Sequence, residues 1–166
     1  NSFLGDTCKQ WEDSVREIGT LGIRMVTLRI GIVLNKRGGA LLEFIKPAKL
    51  GVAAILGDGN QIVSWIHQQD LNGIILFAIN NNTVNGVFNA VSPEPISNKA
   101  LTLAIASKYH SWHLKIHVPV LALKILLGEM SIEVLKSAKV SSKKIQDQGF
   151  EFKYPKISSA LDQLLV

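Results

Sequence analysis

The densest group of chemistry-bearing side chains in this 166-residue chain lies in GDGNQIVSWIHQQDL, residues 57–71. In an extended segment successive side chains point to opposite faces, so Trp65 and His67 share one side and Ile66 takes the other. With Gln61 and Ser64 just upstream they make a set able to line a small-molecule cleft. An imidazole that titrates near neutrality can move a proton, and an indole offers a flat apolar wall with one donor. The same residues have a structural use, Trp65 as packing and His67 bonded to backbone at a helix start, and the sequence leaves both open. Arg29, near the carboxyl end of a β-branched run, stands where open α/β sheets collect ligands, with a structural ion pair as its alternative.

The remaining titratable groups read more plainly. Asp70 is expected to cap the helix that follows it. Glu129, just past Gly128, reads as an ordinary helix-start acid, with a place facing the cleft as the alternative. His110, His113 and His117 have no carboxylate or thiol beside them, and no metal site is expected. Cys8 falls on an apolar helical stripe and reads as a small buried hydrophobe. As the single cysteine it excludes an intrachain disulfide and fits a reducing compartment, the cytoplasm.

These residues need elements to hold them. Residues 7–19 place Cys8, Trp11, Val15 and Ile18 at three- and four-residue steps, predicting an amphipathic helix that Gly19 and Gly22 end. Residues 23–34 are apolar on both alternating faces, as in a strand of a parallel sheet covered by helices. A turn over 35–39 leads to a short helix over 40–51, disturbed by Pro47. Residues 51–66 mix glycine turns with apolar stretches and predict a hairpin or loop that brings Ser64, Trp65 and Ile66 to a surface. A helix follows with Leu71, Ile74, Ile75, Ala78 and Ile79 as its buried stripe, then a strand at 87–91, a turn at 93–95 and a helix over about 97–108. After KIHVP come four helices: one ending at Gly128, others near 131–137 and 141–149, and one from residue 158. The middle is α/β and the end mostly helical.

A composition of 47% hydrophobic and 19% charged residues excludes a disordered chain and supports one core. The net charge of +5 raises phosphate binding as a question. Yet Lys136, Lys139, Lys143, Lys144, Lys153 and Lys156 are interrupted by Asp147 and Glu151 and match no zinc-finger, helix-turn-helix or RNP pattern, so they read as a solvated face without nucleic acid. No apolar run is long enough to span a bilayer, and no membrane partner is expected. The start on Asn1 reads as a soluble piece of something longer.

Seven strings occur in one order: CKQWE at 8–12, LRIGIVL at 28–34, GGAL at 38–41, GDGNQIVSWIHQQDL at 57–71, FNAVSPEPISN at 88–98, LLGEM at 126–130 and GFEFKYP at 149–155. Together they resemble the extended short-chain dehydrogenase/reductase proteins of the NAD(P)-dependent epimerase/dehydratase superfamily. The resembling branch is described as nucleoside-diphosphate-sugar epimerases with a small helical carboxy-terminal domain. The resemblance implies an α/β fold: the C-terminal part of a Rossmann-type doubly wound sheet in residues 1–91, with substrate-side insertions, and a small mostly helical substrate-side subdomain in 92–166. It implies NAD or NADP in the complete protein, held by a glycine-rich turn at a helix start. That turn is not in this chain, since Gly38–Gly39 and Gly57–Gly59 lack its spacing. No cofactor is therefore expected on the chain alone, which is expected to be inactive, and cofactor-binding residues stay unassigned.

The resemblance also implies a catalytic tyrosine and lysine four residues apart on one helix, followed by an acid that matches Glu12. Counting back, the pair falls at Leu4 and Cys8, or at Phe3 and Thr7, and neither register holds it. Lys9 has Gly5 where a tyrosine would stand. Catalytic residues are thus unassigned, and the expected substrate contacts are Arg29, Gln61, Ser64, Trp65 and His67. Val63 occupies the place of an arginine that clamps the diphosphate in sugar-nucleotide epimerases, which speaks against such a substrate. Two readings stand: an epimerase/dehydratase-like protein whose reaction relies on other residues, acting on a small molecule, or a non-catalytic NAD(P)-dependent binding or regulatory protein. A basic interaction module is the weaker third. A parallel strand over 23–30 that lacks one neighbour is expected to mask its edge by self-association or by a segment outside this sequence.

Overall fold

A computed structural model of the chain describes residues 3–165. Its elements run α1 (Phe3–Ser14), a 3-10 helix (Arg16–Leu21), β1 (Val26–Ile30), β2 (Ile32–Leu34), α2 (Ala40–Lys49), β3 (Val52–Leu56), β4 (Ile62–Val63), β5 (Trp65–His67), α3 (Gln68–Asn80), β6 (Gly86–Ala90), β7 (Ile96–Ser97), α4 (Asn98–Tyr109), β8 (Leu114–Val118), α5 (Val120–Leu127), α6 (Met130–Leu135), α7 (Lys143–Gln146) and α8 (Ile157–Leu165). The class is α/β, with parallel pairs β1–β6, β2–β5 and β3–β8 and one short antiparallel pair, β4–β7.

The apolar run expected as one strand is two. β1 lies parallel to β6 with Ile30 opposite Ala90. At Gly31 the chain changes partner: its N–H donates to the Ala90 carbonyl at 3.2 Å and the next, from Ile32, to the Ser64 carbonyl at 2.9 Å. A Cβ at Gly31 would lie 2.5 Å from the Ser64 carbonyl oxygen and 2.7 Å from Val91 Cγ1, so only glycine lets the backbones approach. Of the hairpin or loop expected in 51–66, the loop forms, over 57–61, and the hairpin does not. β3 pairs with β8 and β5 with β2, parallel partners reached through crossovers rather than tight turns, and β4 pairs antiparallel with the distant β7.

Two cores result. The first gathers Leu34, Leu41, Trp65, Leu101, Ile105 and Leu161, drawn from both sides of residue 91. The second holds Ile66, Ile74, Val84, Phe88, Ala90 and Ile145. β5 feeds both, Trp65 to one and Ile66 to the other, as strand alternation requires.

Three local expectations are corrected. α2 runs through Pro47 to Lys49, since in the last turn proline costs only one helical hydrogen bond. α3 buries Ile74 and Ala78 but leaves Ile75 and Ile79 40% and 61% exposed. These two border a shallow groove of Arg24, Val26, Leu28 and Ala78, beside the edge of β1 that pairs with no strand among the described residues. The apolar stripe of α1 is uncovered: Trp11 is 70% exposed and Cys8 is exposed too, because no described element packs over that face. No described helix is long and apolar enough to cross a membrane.

Candidate functional site

The segment expected at a surface is interior. Gln61, Ser64, Trp65 and His67 are all buried, and each side chain has a hydrogen-bond partner within the chain, as burial demands. Gln61 Nε2 donates to the Leu56 carbonyl at 3.0 Å and Trp65 Nε1 to that of Glu94 at 2.9 Å. Ser64 Oγ donates to the Ala138 carbonyl at 2.6 Å and accepts the Val140 N–H at 3.0 Å. Residues 137–140 also bond Ile62 on both sides, through Ser137 Oγ at 3.0 Å and the Ala138 N–H at 3.1 Å. This irregular strap was not foreseen, since it has no periodicity to betray it. Val63, in the place of the clamp arginine, is buried in the first core.

His67 opens α3. Its Nδ1 accepts the Gln69 N–H at 3.0 Å, so Nε2 carries the ring proton and donates to Gln163 Oε1 of α8 at 2.9 Å. The Tyr154 ring lies over the imidazole, centroids 4.0 Å apart. His67 is therefore the cap of α3, where Asp70 was expected. Asp70 is buried in the first turn and accepts the N–H groups of Lys153 at 2.8 Å and Tyr154 at 3.0 Å.

Burial pushes the His67 pKa below its ordinary 6.5, against the Gln163 bond and the Asp70 charge, which raise it. The unfolded chain thus takes up a proton at a higher pH than the folded one. The stability contributed by neutral His67 is complete above about pH 6.5 and is lost as pH falls from there through the folded-state pKa. Melting curves are expected to show the melting temperature dropping over this range more steeply than in His67→Gln. Parallel curves would show that another group governs the loss.

Arg29 belongs elsewhere. Its Nε and Nη2 each donate at 2.7 Å to one oxygen of Glu12, a paired bond that ties α1 to β1. The guanidinium holds the Glu12 carboxyl below its usual range and is itself raised by that carboxylate. None of these bonds reaches Gln61, Ser64, Trp65 or His67. Arg29 and Glu12 instead line a groove with Gly5, Cys8 and Lys9. Cys8, in the lysine position of one register, is on this open wall, while the side chains of Phe3 and Leu4 lie outside the described ones.

The other candidates are dispersed. His110 Nε2 meets the Lys49 carbonyl at 3.0 Å and His117 Nδ1 that of Gly57 at 2.9 Å. Among the described residues no three His, Cys, Asp or Glu side chains gather as metal ligands. Glu129 precedes α6 without a capping bond. Within the lysine-rich stretch, Lys143 pairs with Asp147 at 3.0 Å, and Lys144 donates to the Val87 carbonyl at 2.7 Å and lies over the Phe88 ring. The glycine turn at 57–59 is no phosphate cradle, because a Cβ on Gly59 would meet Ile55 and Lys99 at 2.5 and 2.7 Å. That turn therefore does not fit a dinucleotide pyrophosphate.

Residues 118–164 match a family described as a domain of unknown function, DUF1731. Over 163 residues the chain is 40% identical to the epimerase family protein SAR0825 of Staphylococcus aureus (strain MRSA252), a match that covers 98% of this chain and 54% of that protein. The crystal structure of human epimerase family protein SDR39U1 (isoform 2) with NADPH aligns with a TM-score of 0.80 at 30% identity, over 85% of this chain and 48% of that one. The nucleoside-diphosphate sugar epimerase from Corynebacterium glutamicum aligns with a TM-score of 0.77 at 27% identity, over 99% of this chain and 31% of that one. The chain spans about half the length of the curated relatives it matches.

Proposed function

Taking as premise that this is an epimerase-like chain of the short-chain dehydrogenase/reductase fold, we propose that it forms the substrate-side portion of an NAD(P)-dependent protein that works without the usual tyrosine–lysine pair. The observation that carries this reading is the open groove between α1 and β1, walled by Cys8, Lys9, Glu12 and Arg29. The only two tyrosines of the chain are elsewhere, Tyr109 at the end of α4 and Tyr154 against His67.

In this reading the dinucleotide, which supplies hydride chemistry when bound, is held by residues outside the chain. Arg29 is the direct contact: with Nε and Nη2 engaged by Glu12, its remaining N–H groups, which show no partner among the described residues, can meet a ligand oxygen. Gln61, Ser64, Trp65 and His67 serve as positioning residues, locking β5 and hence the β2 strand beside it. The substrate is a small molecule other than a nucleotide sugar, since buried Val63 offers no clamp for a diphosphate. A free, exposed thiol at Cys8 fits a reducing, cytoplasmic setting. The second reading, a dinucleotide-dependent binding protein without turnover, draws on the same vacancy of tyrosine and lysine.

Calorimetry of the chain alone is expected to show no micromolar binding of NAD+ or NADP+, and micromolar affinity would overturn the assignment of the cofactor to other residues. In the complete protein, Arg29→Ala is expected to weaken substrate binding while leaving NADPH affinity unchanged. Unchanged substrate binding would remove Arg29 from the site. Binding without hydride transfer, followed by NADPH absorbance, would favour the non-catalytic reading.

A further inference from the structure

α5 is almost wholly apolar and almost wholly uncovered. Of its eight residues only Leu123 is buried. Leu121, Ile125 and Leu126 are 69%, 80% and 81% exposed, and beyond the Gly128 break α6 adds Met130 at 68% and Ile132 at 63%. A helix that is apolar on every side is one that another surface covers, and at about 12 Å it is far too short to span a bilayer.

These five side chains present on the order of 600 Å² of apolar surface, at the upper end of the largest patch on a typical monomer (about 300–600 Å²) and near the roughly 800 Å² that each partner buries in a standard interface. Charge says what kind of partner fits. Lys124 and Glu129 flank the Gly128 break, and neither has an ion pair among the described residues. An apolar face that carries one unpaired cation and one unpaired anion complements itself under a two-fold rotation, which sets each Lys124 against the Glu129 of the other copy. The open edge of β1 makes a different demand, for a strand to complete a backbone ladder. The α5–α6 face demands side-chain packing alone.

We propose that α5 and α6 form an isologous homodimer interface centred on Leu121, Ile125 and Leu126. Sedimentation velocity of the 166-residue chain is expected to show a dimer. Ile125→Glu combined with Leu126→Glu is expected to make it monomeric with an unchanged circular dichroism spectrum, because both positions are exposed in the folded chain. Lys124→Glu is expected to weaken the dimer about tenfold or more, and adding Glu129→Lys to restore it. A wild-type chain that stays monomeric at about 100 μM would overturn the proposal, as would a charge swap that restores nothing. An association that survives the α5 changes and disappears with Thr27→Pro would overturn it too, assigning self-association to the β1 edge. Binding to phosphatidylcholine vesicles without dimerisation would assign the face to lipid and equally overturn it.

Discussion

Trp65→Ala is expected to cost about 3–5 kcal/mol of folding stability, the range for removing a large side chain from a packed core. Against a total of about 5–15 kcal/mol for a domain of this kind, that is a large share. The side chain is fully buried, it is surrounded by the apolar residues of the first core, and its indole N–H is the donor for the Glu94 carbonyl. Alanine would leave a cavity and an unsatisfied carbonyl together. Trp65→Phe, which keeps most of the volume but not the donor, is expected to cost roughly 1–3 kcal/mol. Urea unfolding of the three proteins measures these differences. Normal stability in Trp65→Ala together with lost ligand binding in the complete protein would return Trp65 to the cleft wall.

Removing the carboxylate of Asp70 is the second large change. Both oxygens accept backbone N–H groups, from Lys153 and Tyr154, across more than eighty residues of chain, and bonds to a charged acceptor contribute about 1.5–3 kcal/mol each. Asp70→Ala is expected to cost about 3 kcal/mol, with Asp70→Asn, which retains one acceptor, between it and the wild type. The loss should also be local, because Tyr154 stacks on His67 and its segment leads into α8. Hydrogen exchange should show the Lys153 and Tyr154 amides losing protection first. If they stay as protected as in the wild type, Asp70 does not hold that segment.

The helices were legible because their signals are local. The helix expected over about 97–108 is α4, one residue later and capped by Ser97, which accepts the Ala100 N–H, and the strand expected at 87–91 is β6 displaced by one residue. Apolar residues on both faces of 23–34 announced a parallel strand, but the cover expected over both faces is missing at Ile23, Ile30 and Ile32, which are exposed, and its partners were invisible. A ladder to a strand some sixty residues away leaves no trace in the strand's own composition, so the switch at Gly31 from β6 to β5 showed only as one more glycine.

The polar cluster misled for a related reason. Gln61, Ser64 and His67 look like surface or cleft residues by type, but the nearby Leu56 carbonyl satisfies the first inside, and groups from 138–140 and Gln163, far along the chain, satisfy the others. Residue type cannot reveal where backbone groups will be supplied. For Arg29, of the two roles its position allowed, the ion pair is formed, and its partner Glu12 stands seventeen residues upstream on another element. The apolar face of α1 asks for cover, and composition cannot say whether that cover lies within these residues.

The first core also sets a timetable for synthesis. Leu34 and Trp65 close against Leu161 and Leu164, so the early strands have nothing to complete their burial until residues 157–165 have been made. At about 5–20 residues per second, a ribosome takes on the order of 5–20 seconds to travel from β5 to α8. During that interval α2 and α4 are already available to Leu34 and Trp65, and the wall that Ala160, Leu161 and Leu164 supply is still missing. The last helix to be made is thus the one that finishes the first core.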